Sequence, residues 1–140
     1  MTPEFARMVS ASFEKQGLMQ ALGIELCRIE PGLCELRAGF RLELSQQHGY
    51  FHGALVGAAL DSAGGYAALS LMPLGSEVLT TEYKINFVAA AEGEALLARG
   101  RVIRPGRRLT VTQAEAFCLQ GGEPRLCAVM LQSLIQIEEG

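Results

Sequence analysis

Between Glu43 and Glu77 the chain carries a single formal charge, Asp61, set in a run of alanine, glycine and leucine. Removing a carboxylate from water costs several kcal/mol unless it is paired, hydrogen-bonded or protonated. Its presence on an apolar segment therefore asks for a reason, and a base or nucleophile is a good candidate. Nine residues earlier, His52-Gly53 stands where that segment begins. If the segment is a helix, its first N–H groups are free and carry the positive end of the dipole. A glycine there lets a reacting group come close to its N–H, which suits a developing oxyanion. A carboxylate and an oxyanion donor are the two requirements of acyl transfer.

Their spacing is informative. Nine helical residues span about 13 Å and two and a half turns, so the two groups face opposite ways. Both must come within about 3 Å of one reacting centre. One straight helix cannot do this, but two antiparallel helices about a two-fold axis can. The spacing thus predicts a dimer with two equivalent, shared sites. The helical positions nearest Asp61 are Gly57, Ala58, Gly64, Gly65 and Ala68, with Val56, Ala59, Ala63 and Tyr66 on the far side. Glycine in a helix costs about 1 kcal/mol against alanine. Either tight helix packing or a bound substrate explains such a stripe, and Gly64 and Gly65 are candidate substrate contacts.

The elements that must position these groups follow from periodicity and turn signals. Residues 2–15 form an amphipathic helix, with Thr2 as cap, Pro3 in the first turn and Phe5, Met8, Val9 and Phe13 at helical spacing. Leu18 to Leu22 continues as a helical turn. Ile24 to Ile29 and Leu33 to Leu42 read as paired strands across Pro31-Gly32. The polar loop Ser45 to Tyr50 leads to the central helix, roughly His52 to Leu71, closed by Pro73 and Gly75. Four strands follow: Glu77 to Val88, Ala95 to Ile103, Arg108 to Leu119 and Leu126 to Ile137, with turn residues between them. Consecutive strands on short turns imply antiparallel pairing. The expected architecture is α+β, one antiparallel sheet wrapped around one apolar helix in a single domain, 1–140.

With 140 residues, 49% of them hydrophobic, the chain can bury a real core, and its low charged fraction of 19% suggests further surface hidden in an oligomer. A net charge of −3 argues against general nucleic-acid binding. The N-terminus lacks the pattern of a signal peptide, and the apolar run at 54–72 is interrupted by Asp61, glycines and serines, so no membrane insertion is expected. Cys27, Cys34, Cys118 and Cys127 form no C-x-x-C pair; each lies in an apolar strand-like stretch and is expected reduced and buried, in a cytoplasmic protein. Two histidines with no cysteine nearby make a metal site improbable.

His52-Gly53 with an acid nine residues on, together with TTEYKINFVAAAEGE (Thr80 to Glu94) and VIRPGRRLTVTQAEAF (Val102 to Phe117), resembles the hotdog-fold acyl-CoA thioesterases of the phenylacetate-degradation type over about residues 20–137. The resemblance implies a five- or six-stranded antiparallel sheet around the helix, edge-to-edge dimers and commonly tetramers. It implies hydrolysis of an acyl-CoA thioester, with Asp61 as nucleophile or general base and the Gly53 N–H polarising the carbonyl of a substrate held with the other protomer. His52 then orders the helix start or assists the leaving group. Gln46 stands where many relatives carry an asparagine that positions substrate or water, and Thr80, with Thr81 beside it, matches the residue that holds the acid. Ala54 replaces the second glycine of the usual H-G-G. Arg107 and Arg108, in the Gly-Arg element with Arg104, are candidates for the coenzyme A phosphates or simply a solvated hairpin end. No cofactor is expected, coenzyme A being part of the substrate. His48 reads as a loop residue at the rim, Phe87 as core, and Asn86 is ambiguous. The helix face suggests a medium-chain or aryl acyl group. Two rivals keep the fold: a hotdog hydratase or dehydratase, and a non-catalytic acyl-CoA-binding module.

Overall fold

A computed structural model describes residues 1–137. Thr2 caps the first helix, α1 (Pro3–Glu14), by accepting the Phe5 N–H at 3.2 Å, and α1 turns Val9 and Phe13 into the core. The short α2 (Gly17–Leu22) ends on Gly23, whose φ of 67° is open to glycine because it has no Cβ to clash. The strands β1 (Ile24–Glu30) and β2 (Leu33–Gly39) form a hairpin, and a 3-10 turn over Leu42–Leu44 leads towards the central helix α3 (Gly53–Leu69). Then come β3 (Glu77–Phe87), β4 (Ala95–Arg104), β5 (Leu109–Gln120) and β6 (Glu123–Ile137).

All the pairings are antiparallel, and the strand order is β1-β2-β4-β5-β6-β3. The strand leaving α3 therefore runs not to its successor β4 but to the far edge beside β6. The six-stranded sheet curls round α3, which touches every strand. The expected α+β architecture is the observed one. Leu60 and Val56 on α3 are fully buried with Leu36, Leu96, Met130 and Leu134 from the sheet. Each such side chain contributes roughly 1.5–3 kcal/mol by leaving water. The closest approach of helix to sheet is made from the sheet side: a Cβ at Gly100 of β4 would collide with the Ala63 carbonyl group and the Gly64 nitrogen.

Four details differ from expectation. The second strand ends at Gly39 rather than Leu42, and Leu42–Leu44 forms the 3-10 turn. The central helix begins at Gly53 rather than His52, because His52 becomes its cap with extended backbone (φ −65°, ψ 140°). The last strand begins at Glu123, not Leu126, because Gly121 and Gly122 both take positive φ (59° and 81°) and close a two-residue hairpin turn, which lets pairing start at Gln120 and Glu123. Cys34, Cys118 and Cys127 are buried, but Cys27 is exposed, since its position on the edge strand β1 points outward.

The two edge strands differ in what they offer. On β3, Leu79, Tyr83 and Phe87 are about half exposed. A long edge strand with apolar side chains and unpaired backbone groups is a template for pairing with another chain.

Candidate active site

Asp61 lies mid-way along α3 and half-buried, and its carboxylate is held from the sheet. Thr80 of β3 donates its hydroxyl to Asp61 Oδ1 at 2.7 Å, and Gln132 of β6 donates its amide to the same oxygen at 2.6 Å. The Gln132 amide nitrogen also lies 3.1 Å from the Asp61 backbone carbonyl and 3.0 Å from the Thr80 hydroxyl. Gln132 is itself oriented, because Thr112 of β5 donates to its Oε1 at 2.8 Å. Both Gln132 and Thr112 are buried. A chain of three strands thus fixes one carboxylate oxygen, while no protein donor among the described residues reaches Oδ2. Fully satisfied buried networks of this kind specify one geometry, because leaving any member unpaired is costly.

A cleft of roughly 270 Å³ opens beside this carboxylate, between α3, α1 and the edge strand β3. Asp61, Gly65 and Leu69 line it from the helix, Val78 and Thr80 from β3. Ser12 and Gln16 close it from the N-terminal segment, bonded to the Tyr66 hydroxyl. Burial pushes the Tyr66 phenol above its ordinary pKa, with the hydrogen bonds from Ser12 and Gln16 opposing that shift.

The other half of the predicted chemistry sits at the helix start. His52 Nδ1 accepts the Ala54 N–H at 2.9 Å, which satisfies one of the orphan donors of the first turn. The Gly53 N–H has no acceptor among the described residues. The Phe87 ring, from the end of β3, lies against Gly53: a Cβ there would sit 3.2 Å from Phe87 Cζ. Phe87 is thus a half-exposed cover over the helix start and not a core residue. Asn86, one residue earlier, faces the opposite side of the sheet. Gln46 also belongs to this end. Its Oε1 accepts the N–H groups of His48 and Tyr50 and so shapes the turn before the helix. His48 is exposed on that turn.

The predicted residues therefore fall into two groups within one chain. Asp61, Thr80 and Gly65 come together at the cleft, whereas Gln46, His52 and Gly53 come together at the helix start. Gly64 belongs to neither and is a correction: it is buried under the sheet, where a Cβ would overlap Gln132 Oε1 and fall 2.8 Å from Thr112 Oγ1. Ala68 is likewise turned inward. The outer stripe of α3 runs instead through exposed Ala54 and half-buried Gly57, Ala58, Asp61, Ser62 and Gly65, because contact with the whole curved sheet buries an arc wide enough to take in Gly64. Arg107 and Arg108 are exposed at the β4–β5 hairpin, away from the cleft lining.

Residues 48–125 match the model of the thioesterase superfamily. The chain belongs to that superfamily. A thioesterase family protein from Silicibacter pomeroyi is 42% identical, with a TM-score of 0.94 over 96% of this chain and 99% of that one. The PaaI protein of the Escherichia coli phenylacetic acid degradation operon has the same fold, with a TM-score of 0.84 at 20% identity over 95% and 93% of the two chains. A Saccharolobus solfataricus protein that carries a provisional esterase name is 31% identical over 94% of this chain and 85% of its own length. The fold is the hotdog fold, which PaaI shares, and the protein is a thioester hydrolase.

In this thioesterase the sequence reading missed Gln132, Thr112 and the Ser12–Gln16–Tyr66 group. A signal for Gln132 was present. Ala128, Met130 and Leu134 alternate inward along β6, and a glutamine at the inward position between them must find buried partners. Thr112 sits at the equivalent inward position of β5, opposite Gln132. Ser12 carries no such signal, since a serine beside an apolar helix face is ordinary.

Proposed function

We propose that the protein hydrolyses an acyl-CoA thioester to the free acid and coenzyme A, at a site that two copies of the chain complete. Asp61 of one copy supplies the carboxylate and the Gly53 N–H of the other supplies the oxyanion donor. The observation that carries this reading is the pinned carboxylate: Thr80 and Gln132 hold Oδ1, and Oδ2 remains for chemistry in the cleft. That oxygen takes a proton from water as the water attacks the thioester carbon, or attacks that carbon itself to form a mixed anhydride, which water then cleaves to free acid and Asp61 carboxylate, its proton passing to the departed thiolate. The carbonyl oxygen gains negative charge against the Gly53 N–H, the C–S bond breaks, and the thiolate leaves and is protonated. Single turnover in 18O-water tests the nucleophilic route, since label enters Asp61 only when water cleaves the anhydride at the Asp61 carbonyl.

Three features support the second copy. Gly53 and Asp61 lie on one helix about 12 Å apart along its axis, β3 is an open edge that exposes Leu79, Tyr83 and Phe87 among polar residues, and the half-buried outer stripe of α3 is made of small residues around Asp61. Pairing β3 to β3 would extend the sheet and bring two such helices side by side. A tetramer would pair two of these dimers. Arg107 and Arg108, which have no carboxylate partner among the described residues, would meet the coenzyme A phosphates. A medium-chain or aryl acyl group would enter the cleft. His52 acts as the cap that leaves the Gly53 N–H free.

The test is thiol release from short, medium, long and aryl acyl-CoAs. Asp61→Ala should lose roughly 10²–10⁴-fold in rate with its fold intact. Co-expression of Asp61→Ala with Gly53→Pro, each inactive alone, should recover about a quarter of wild-type activity, because half of the random pairs are mixed and each mixed pair rebuilds one site of two. No recovery in purified mixed pairs would reject the shared site. Turnover indifferent to Asp61 would reject the mechanism, and binding without turnover would favour the acyl-CoA-binding module.

A further inference from the structure

The wall of the cleft opposite β3 is polar, contrary to the apolar groove expected from the helix face. Ser12 Oγ lies 3.0 Å from the Tyr66 hydroxyl, Gln16 Nε2 donates to that hydroxyl at 3.1 Å, and Ser62 Oγ donates to Gln16 Oε1 at 3.2 Å. All four residues line the same cleft as Asp61. The cluster starts at Ser62, the next residue after Asp61, and reaches Tyr66, about 7 Å further along the helix axis from Asp61.

Counting hydrogens gives this wall a chemical sense. The two serines and the tyrosine have one donor hydrogen each and the glutamine amide has two. Three bonds join the cluster, so two hydrogens have no acceptor within it. One belongs to the Gln16 amide and the other to Ser12 or Tyr66, according to the direction of their bond; the number is the same either way. The Tyr66 oxygen is held in place, because the ring is buried and packed edge-on against Phe13 at 5.8 Å between centroids. The wall therefore has donors to give and calls for an acceptor. Glu77 lines the cleft as well, with no hydrogen bond to the cluster, and its carboxylate opposes a second anion there.

We propose that this cleft selects an acyl group with an uncharged oxygen acceptor, an oxo or hydroxyl group, roughly four or five bonds from the thioester carbonyl, over a plain hydrocarbon chain of the same length. This rests on the reading of Asp61 as the carboxylate of a thioesterase. A site built to hydrogen-bond a substrate oxygen discriminates strongly against the analogue that lacks it, because its own polar groups are then left without a partner. Glu77, exposed to solvent on the cleft lining, disfavours an acyl chain ending in a carboxylate.

The probes are three six-carbon thioesters: hexanoyl-CoA, 5-oxohexanoyl-CoA and adipoyl-CoA. The wild type should prefer the 5-oxo compound to hexanoyl-CoA by about tenfold or more in kcat/KM, with adipoyl-CoA the poorest. In Ser12→Ala/Gln16→Leu/Tyr66→Phe, which leaves Ser62 as the one polar side chain of the four, the ratio should fall to about one. The active fraction cancels in that ratio, because both substrates are measured on one preparation. If the triple variant does not fold, Ser12→Ala/Tyr66→Phe removes the hydroxyl pair, keeps the ring on Phe13 and should lower the ratio. A wild type that prefers hexanoyl-CoA or does not discriminate overturns the proposal and leaves the thioesterase reading standing, as does a preference that the variants leave unmoved. Absence of turnover with every acyl-CoA rejects that reading itself.

Discussion

In the proposed mechanism the middle of α3 and its beginning carry the two halves of one reaction, and the two ends differ in how far one chain completes them. At the middle, Asp61 is fixed by donors from two strands, and a third strand orients one of those donors. At the beginning, His52 satisfies Ala54, the Gly53 N–H stays without an acceptor among the described residues, and a half-exposed phenylalanine lies over it. Folding of one chain is enough to place the carboxylate. The Gly53 N–H is left without an acceptor among the described residues. In the proposed dimer a second copy would meet this need, because a two-fold axis offers the missing half twice.

The sharpest way to break the comparison is to remove the Gly53 N–H and nothing else. Proline is tolerated at the first position of a helix, where its absent N–H is not part of the helical ladder. His52 already has the extended backbone that a following proline requires. Gly53→Ala is the matched control, since it keeps the N–H and meets Phe87 in the same way. Gly53→Pro should lose about 10²–10³-fold in kcat relative to Gly53→Ala, with little difference in melting temperature. Equal rates for the two variants would remove the oxyanion donor from the mechanism.

The carboxylate half is broken more gently through Gln132. Replacing Gln132 with leucine takes one donor from Asp61 and leaves Thr112 without its acceptor. We expect a loss of roughly ten- to a hundredfold in kcat from misplacement of the carboxylate, with KM less affected. Gly64→Ala should act on the same geometry from the other side, because its methyl group would overlap Gln132 Oε1. That substitution should destabilise the fold by about 1–3 kcal/mol, read as a lower midpoint in urea. Adding Gln132→Ala to Gly64→Ala should relieve the overlap, so the two stability losses should be clearly less than additive. Additive losses would mean that Gly64 does not make room for Gln132.

The sequence was legible where a local rule fixes a residue. Glycine and proline turn signals, strand alternation and the apolar helix were enough to order nine of the ten elements of the described chain, and the nine-residue spacing separated Asp61 from the helix start. It was less legible where the sheet decides. Helical projection groups Gly64 with Asp61, but the curvature of the sheet sets how wide an arc of α3 is buried, and that depends on contacts from distant strands. Gln132 lies 71 residues from the aspartate it holds. Its signal was a polar residue in an inward strand register, visible only once the inward face is known. Phe87 looked like core because it is aromatic and sits in a strand; its exposure follows from β3 being an edge, a fact of topology.

The smallest effect tests whether His52 is a cap or a chemical group. In the structure its Nδ1 is occupied by the Ala54 N–H, so the imidazole's visible task is to terminate the helix. Asparagine caps helices well and alanine does not, the difference being typically about 1 kcal/mol. His52→Asn should therefore keep the melting temperature and stay within a few-fold of wild-type kcat. His52→Ala should lose about 1 kcal/mol of stability and some rate, because its freed Ala54 N–H competes with the Gly53 N–H for water and substrate. Thiol release and thermal melts on both variants check this. A His52→Asn enzyme that is stable but as slow as Gly53→Pro would move the histidine from holding the helix start to handling the leaving thiolate. The open half of the site would then carry a second reacting group, and the contrast between the two ends of α3 would be one of chemistry as well as completeness.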